Sequence, residues 1–293
     1  MICRKCFLIV KPSFLKNNLI ILFVFAILLL LASCDAKQES SLFKYGTEND
    51  SARFYYLKGF HEILDNGRWT ASEKSYRKAL EFDSSYVLGK VLVGRITRNL
   101  EEREQLLQEL LKEKETVIDD ERLLLDVYIM SIQAFNNRDK GIKNSPEFNA
   151  TRKHLAASNF RKFISKYPGD SYVKAEYIEW LHFIHGPKIA LDSLKHLATD
   201  EQMKLGFYIS YSASLELEIG NIEQAISISK NLKELMVDST YTNYKKLKAE
   251  IYIAQDSLEK AKEYIDDILK IEPNHLIVLA MQSEIDKKIK NKP

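Results

Sequence analysis

The stretch that decides the fold is KAEIYIAQDSLEKAKEYIDDILKIEP, residues 248–273. In its second half, Ala261 is followed four and seven residues later by Ile265 and Ile268. These spacings place the three side chains on one face of a helix, and a small residue there lets a neighbouring helix approach closely. Ala249 lies in a preceding segment, separated from the second by turn residues. The stretch therefore predicts a closely packed pair of helices.

The same pattern recurs through the chain. Small residues occur at Ala156, Ala190, Ala225 and Ala261, at separations of 34, 35 and 36 residues. Helical apolar spacing also runs through residues 89–116, and residues 122–135 are apolar nearly all round, which is typical of a buried helix. We predict an all-α fold over residues 50–293, an α-α superhelix of about six helix pairs with a C-terminal capping helix over residues 275–290. The positions four and seven residues after each alanine are Phe160 and Phe163, Leu194 and Leu197, Ser229 and Leu232, and Ile265 and Ile268.

Period and motif positions resemble tetratricopeptide repeats. In the last repeat, Ala249 and Tyr252 match the Gly/Ala and Tyr positions of the first helix, and Pro273 matches the closing proline. The repeat before it departs from the pattern, with Glu216 at the Tyr position and Val237 at the proline position. An irregular helical bundle is the alternative fold. A further match near the start comprises Tyr56, Gly59, Tyr76, Ala79 and Leu80.

The resemblance implies a concave groove, lined from the first helix of each pair, that binds an extended peptide or a helix of another protein. Offsets from the small residue of each first helix select the candidate groove residues. They are mostly polar, and simple solvation is the alternative interpretation. The candidates are Tyr172, Ala175, Glu179 and His182 in the fourth pair, Phe207, Ser210 and Ser214 in the fifth, and Asn243, Lys246 and Glu250 in the last.

The N-terminal residues 1–33 have the pattern of a secretory signal peptide: a basic segment without acidic residues, then the apolar run 19–31. Thirteen residues rise about 20 Å as a helix, too little for a hydrocarbon core of roughly 30 Å. The run ends in Leu31-Ala32-Ser33-Cys34, which resembles the lipobox of bacterial lipoproteins. The resemblance implies cleavage before Cys34, a diacylglycerol thioether and an N-acyl chain such as palmitate on that cysteine. An uncleaved transmembrane helix and a plain signal peptide are the alternatives.

Residues 34–49 are expected to form a polar tether that holds the domain near a bacterial membrane, the outer membrane more than the inner, outside the cytoplasm. Beyond residue 33 the chain keeps 39 Lys and Arg against 41 Asp and Glu, a net charge of about −2 that gives no indication of a nucleic-acid partner. Only Cys34 remains there, so no internal disulfide is expected.

No catalytic motif occurs, and we expect neither an enzyme nor a cofactor beyond the lipid. His182 and His185 share a helical face, but zinc needs a third protein ligand and none is specified. Two local features are also predicted: a capping box at Thr70-Ala71-Ser72-Glu73 and a polar insertion over residues 136–149.

We therefore expect a membrane-anchored scaffold that binds an envelope protein or peptide, with an outer-membrane assembly or transport accessory role as one form of it. The alternative is a small-molecule or glycan binder, in which the 136–149 insertion and the aromatic residues of 172–185 close a pocket. A deep, apolar-walled cavity with converging polar groups would favour that alternative. An enzyme on a helical scaffold is the third hypothesis, and three converging carboxylates or histidines would favour it.

Overall fold

A computed structural model describes residues 43–236 and 238–290; the expected signal peptide, Cys34 and the first part of the tether lie outside them. The described residues contain thirteen α-helices and no β-strand. In chain order the helices are α1 Asp50–Phe60, α2 Trp69–Phe82, α3 Val87–Ile96, α4 Leu100–Glu113, α5 Asp119–Asp139, α6 Pro146–Lys166, α7 Ser171–His185, α8 Pro187–Leu197, α9 Gly206–Glu218, α10 Ile222–Leu235, α11 Asn243–Ala254, α12 Leu258–Ile271 and α13 Leu276–Lys290.

Helices that are neighbours in the chain pack against each other, and they form six pairs from α1 with α2 to α11 with α12. The last helix, α13, packs on α12. The predicted α-α superhelix of about six pairs with a capping helix is therefore confirmed. None of the helices in the described part of the chain combines the length and apolar character needed to cross a membrane.

Close helix contact rests on the periodic small residues. Ala156, Ala190, Ala225 and Ala261 lie on the second helices α6, α8, α10 and α12, and each is fully buried. Three of the four pairs of positions that follow them are wholly buried as well, and Leu197 in the remaining pair is half-buried. In the fifth repeat, Glu216 stands at the position where tetratricopeptide repeats have tyrosine, and its contacts explain how a charge is accommodated there. Its buried carboxylate accepts hydrogen bonds from Lys195 Nζ at 3.0 Å and Asn221 Nδ2 at 2.8 Å, which satisfies a charge where the family has tyrosine.

Gly59 lets α1 approach α2, and its replacement by alanine tests that contact. A Cβ there would lie 2.1 Å from Cε1 of Tyr76, whose ring is enclosed by Tyr56 and Phe60. Alanine gains about 1 kcal/mol in helix propensity, but overpacking a closed core costs about 1–3 kcal/mol. Because the added Cβ would meet a ring with no room to move, we place the cost in the upper part of that range, about 2–3 kcal/mol. We therefore expect Gly59→Ala to lower the free energy of unfolding by about 1–2 kcal/mol, measured by urea denaturation.

Gly94→Ala is the matched control, since Gly94 is also buried within a helix. Its Cβ would meet Cδ1 of Ile132 at 2.7 Å, the mobile end of a flexible side chain that can rotate away. We expect a stability change within about 0.5 kcal/mol of zero, because the propensity gain offsets the small displacement. Equal losses in the two variants would contradict the role assigned to the Tyr76 ring.

The folded unit begins at Phe43, seven residues before the boundary expected from the sequence. Phe43 packs edge-on against Phe163 at 4.9 Å between ring centroids, and Tyr45 lies 5.1 Å from Tyr56; both side chains are buried. Residues 43–49 therefore pack on the domain instead of belonging to the tether. Two aromatic side chains produce this packing without any helical period, so a search for periodicity does not detect it.

Two local predictions are wrong. No capping box forms, because α2 already begins at Trp69 and Thr70 donates its N–H and hydroxyl to the carboxylate of Glu272 instead. The expected insertion over residues 136–149 is helical in eight of its fourteen residues: α5 continues through Asp139 and α6 begins with Pro146, so the loop is confined to residues 140–145. Asn136 is buried there and accepts a hydrogen bond from Nε of Arg103 at 2.6 Å.

Candidate functional site

The concave side of the superhelix is partly filled by residues 61–69, here called the closure segment. After α1 the chain makes a π-helical turn, His61–Asp65, and then a turn through Gly67. The amide of Asn243 donates to the carbonyl oxygens of Leu64 and Asp65 at 2.7 and 2.8 Å. The N–H and hydroxyl of Thr242 donate to the carbonyls of Asn66 and Gly67 at 2.8 and 2.7 Å. The first pair is thus attached to the start of α11.

A second attachment joins the first pair to the end of α12. Thr70 donates from N and Oγ1 to Oε2 of Glu272 at 3.0 and 2.5 Å. Next to it, the rings of Trp69 and His275 lie 5.3 Å apart. Because consecutive pairs also pack side by side, these contacts between the first and last pairs close the superhelix into a ring.

Asp65 is the most connected residue of the closure segment. It is 3% exposed, and its carboxylate accepts from the backbone N–H of Phe207 at 3.0 Å and from the hydroxyl of Tyr172 at 3.3 Å. It also contacts Nδ1 of His61 at 3.0 Å, and this hydrogen bond raises the pKa of His61. Asp65 therefore links α1 to α7 and α9 across the concave side.

Inside the ring remains a cavity of about 890 Å³. Its apolar walls include Trp69, Leu92, Phe135, Phe207 and Leu276. Polar groups converge from α3, α7, α9 and α11, and the larger part of the wall is apolar. Polar side chains at the cavity include Arg95, Glu176, Glu179, Ser210, Tyr211, Ser214, Asn243 and Lys246.

The structure places six of the ten groove candidates of the sequence on the cavity wall: Glu179, Phe207, Ser210, Ser214, Asn243 and Lys246. The other four do not line it, and Ala175 is fully buried. Tyr172 stacks on Phe60 at 5.5 Å, His182 contacts the hydroxyl of Tyr211 at 2.8 Å, and Glu250 accepts from the hydroxyl of Ser214 at 2.6 Å. Asn243 is a cavity residue whose amide donors are already used by the closure segment.

Sequence reasoning missed a buried charge cluster at the wall. Nη1 of Arg95 lies 2.6 Å from Oε1 of Glu176, and the hydroxyl of Tyr128 donates to the other oxygen of that carboxylate. The guanidinium also lies over the Tyr128 ring, 4.3 Å from its centroid. One sequence feature could have indicated this cluster: a single arginine, Arg95, in the otherwise apolar segment VLVGRI, residues 91–96. Such a charge needs a buried partner, since burying it alone is costly.

Glu179 differs from the other carboxylates of the cavity. Within the described ranges it makes no hydrogen bond and no ion pair, and its exposed surface faces the cavity. Glu179 is exposed toward the cavity, and desolvation by the surrounding protein, followed by the charge of Glu176, raises the pKa of its carboxyl to about 7. At the cavity wall, burial and then Lys246 lower the pKa of His275 to about 4, so this imidazole is neutral at pH 7.

Among the described residues, no group of three or more His, Cys, Asp or Glu is placed to hold a metal ion. His182, the candidate ligand of α7, is engaged with Tyr211 and, through Nε2 at 2.9 Å, with Glu218. The cavity offers a ligand one unpaired carboxylate, hydroxyl groups and an aromatic surface.

No protein-family model matches this chain, and no curated protein matches it either.

Proposed function

We propose that this protein is a non-catalytic binding protein of the bacterial envelope that holds a small organic ligand inside its helical ring. The cavity carries the proposal: its volume of about 890 Å³ falls within the range of roughly 300–1,000 Å³ typical of small-ligand pockets. Apolar walls with a few converging polar groups are also typical of such sites. These are the features that the sequence analysis required for the small-molecule alternative.

The closure segment argues against a peptide lying along the whole groove. An extended peptide or helix would need the surface of α7, α9 and α11 that Asp65 and the turn after it already contact. Removing those contacts would expose the carbonyls of Leu64, Asp65 and Asn66. Each of these carbonyls that the bound peptide covered without donating to it would cost about 1–3 kcal/mol, so we favour a ligand that fits the remaining cavity.

We further propose that the mature chain is anchored by acyl chains on Cys34, with the domain outside the cytoplasm. The apolar run 19–31 followed by Leu31-Ala32-Ser33-Cys34 supports this proposal. The relationship to tetratricopeptide repeats is likewise a proposal, supported by the period of 34–36 residues and by fully buried alanines at the repeating position.

A protein-binding scaffold is the second candidate function, and the exposed aromatic Phe183 favours it. This side chain is 56% exposed, lies outside the cavity and packs edge-on against Trp180 at 5.6 Å. The cationic groups of Arg152 and Lys153 lie over its ring. Aromatic and arginine side chains together are enriched at protein interfaces.

Mass spectrometry of the protein purified from its native membranes tests these proposals together. Under native conditions we expect a non-covalent ligand below about 1 kDa, the size that a pocket of this class holds. Under denaturing conditions we expect the mass of the chain from Cys34 with its acyl groups. Recovery of a bound protein and no small ligand would instead support the protein-binding scaffold, provided that substitution of Phe183 abolishes that recovery.

Ser214→Phe should abolish ligand recovery, because Ser214 lies on the cavity wall and the new ring would fill part of the space. Ser227→Phe is the matched control: Ser227 is exposed on the neighbouring helix α10, and we expect its ligand recovery to be unchanged. Equal recovery from both variants would overturn the assignment of the cavity as the binding site.

A further inference from the structure

We propose that the cavity ligand carries an organic cation, an ammonium group on an apolar body, and that this group pairs with Glu179. The inference rests on the proposed binding function and specifies its ligand class. It follows from four features of the wall: an unpaired carboxylate, neighbouring charges that already have partners, hydroxyls that donate within the protein, and a stacked aromatic pair.

The first feature is Glu179 itself. It lies on α7 and faces the cavity, and no partner for it occurs among the residues that the structure describes. An ionised carboxylate offers only acceptor oxygens, and an ammonium group offers only donors. A ligand ammonium would supply the missing ion pair, and charge-assisted hydrogen bonds of this kind are among the strong ones.

The second feature is the state of the nearby cations. Arg95 on α3 is paired with Glu176, and Lys246 on α11 is paired with Glu250. Each of these positive charges already has a carboxylate within contact distance. Ionised Glu179 is therefore the one charge among these five side chains that has no opposite charge as partner. A cation in the cavity would neutralise it, and an anionic ligand would add to the repulsion.

The third feature is the direction of the hydroxyl hydrogen bonds on α9. Ser210 donates to the carbonyl of Phe207 at 3.1 Å, and Ser214 donates to Glu250 at 2.6 Å. A serine hydroxyl has one hydrogen, so while these bonds are kept both side chains offer a ligand acceptor lone pairs. Acceptors on α9 together with the carboxylate on α7 fit a ligand group that is rich in donors.

The fourth feature is aromatic. The rings of Phe207 and Tyr211 stack at 5.0 Å between centroids with an interplanar angle of 19°, and both residues line the cavity. Burial and then the charge of Glu179 raise the pKa of Tyr211. A cation within about 6 Å of an aromatic centroid is attracted to the ring face. The carboxylate and the rings therefore favour the same ligand group.

Protonation of Glu179 should control this binding. The groups that face it are Glu176 on its own helix, Arg95 on α3, Tyr211 on α9 and Lys246 on α11. With a pKa raised to about 7, the carboxyl is mostly neutral at pH 5.5 and ionised at pH 8.5. The cation loses its partner when Glu179 is protonated, so affinity should increase with pH over this interval by about tenfold or more.

Isothermal titration calorimetry of the full-length protein tests the inference with three probes that share one body: 4-phenylbutylammonium, 4-phenylbutanol and 4-phenylbutanoate. At pH 8.5 we expect the ammonium to bind at least tenfold more tightly than the alcohol, and the carboxylate to bind most weakly. Glu179→Gln should remove the preference for ammonium while keeping the affinity for the alcohol. Glu223→Gln, at an exposed position on α10, should behave as the unchanged protein.

The outcomes separate the two proposals. Equal binding of alcohol and ammonium, or an ammonium preference that persists in Glu179→Gln, would overturn the cation assignment and leave cavity binding intact. Failure of all three probes to bind, or binding that Ser214→Phe does not weaken, would count against the cavity itself. Because the pH series uses the unchanged protein, a flat affinity between pH 5.5 and 8.5 overturns the role of Glu179 without any variant.

Discussion

Arg95→Met is expected to lower the free energy of unfolding by about 3–5 kcal/mol, because it removes one partner of a buried ion pair. The carboxylate of Glu176 is 6% exposed and has two partners, Nη1 of Arg95 and the hydroxyl of Tyr128. Without the guanidinium, a buried negative charge keeps only one hydrogen bond. Methionine retains most of the apolar volume, so the loss reports the charge and not a large cavity. Urea denaturation followed by circular dichroism measures it.

Arg77→Met is the matched control for this prediction. Arg77 also bonds carboxylates on two sides, Glu73 at 2.7 Å and Glu102 at 2.6 Å, but its side chain is 41% exposed. Exposed pairs contribute about 0–1 kcal/mol, so a small loss is expected here. The double variant Arg95→Met with Glu176→Gln should recover part of the stability lost in Arg95→Met. A single Arg95 loss no larger than that of Arg77 would show that water reaches the Glu176 carboxylate.

The helix pairs could be predicted because their signals are local. Ala156, Ala190, Ala225 and Ala261 are close to one repeat apart, and each contact they permit joins neighbouring helices. The same period also predicts which residues face the concave side. That is why a fixed offset placed Ser210, Ser214 and Lys246 on the wall of one cavity.

Closure of the ring could not be predicted in this way. It depends on the small rotation between successive pairs, summed over the whole superhelix, and no single repeat encodes that sum. The contacts that result join polar residues 175–202 positions apart, such as Thr242 with Gly67 and Glu272 with Thr70. Thr70 illustrates the difficulty: its local sequence indicates a capping box, but a distant carboxylate is its actual partner.

Gly67→Ala is expected to lower the free energy of unfolding by about 3 kcal/mol, the sum of two costs. The first is backbone strain: Gly67 has a φ of +74°, where an alanine costs about 1–2 kcal/mol. The second is a close approach, since a Cβ would lie 2.4 Å from Oγ1 of Thr242 and 2.9 Å from the backbone N of Asn243. Overpacking of this kind costs about 1–3 kcal/mol, and a backbone atom cannot rotate away.

Gly141→Ala separates the two costs, because Gly141 has a similar φ of +71° and no atom within 4 Å of the added Cβ. We expect it to show the strain alone, about 1–2 kcal/mol, so the difference between the variants measures the attachment of the closure segment to α11. Hydrogen exchange gives a local readout, since the N–H of Thr242 donates to the carbonyl of Asn66 at 2.8 Å. That amide should exchange faster in Gly67→Ala and remain protected in Gly141→Ala. Equal stability losses with equal protection would mean that the ring opens at little cost, and the cavity would then be accessible to the extended peptide that the tetratricopeptide resemblance implies.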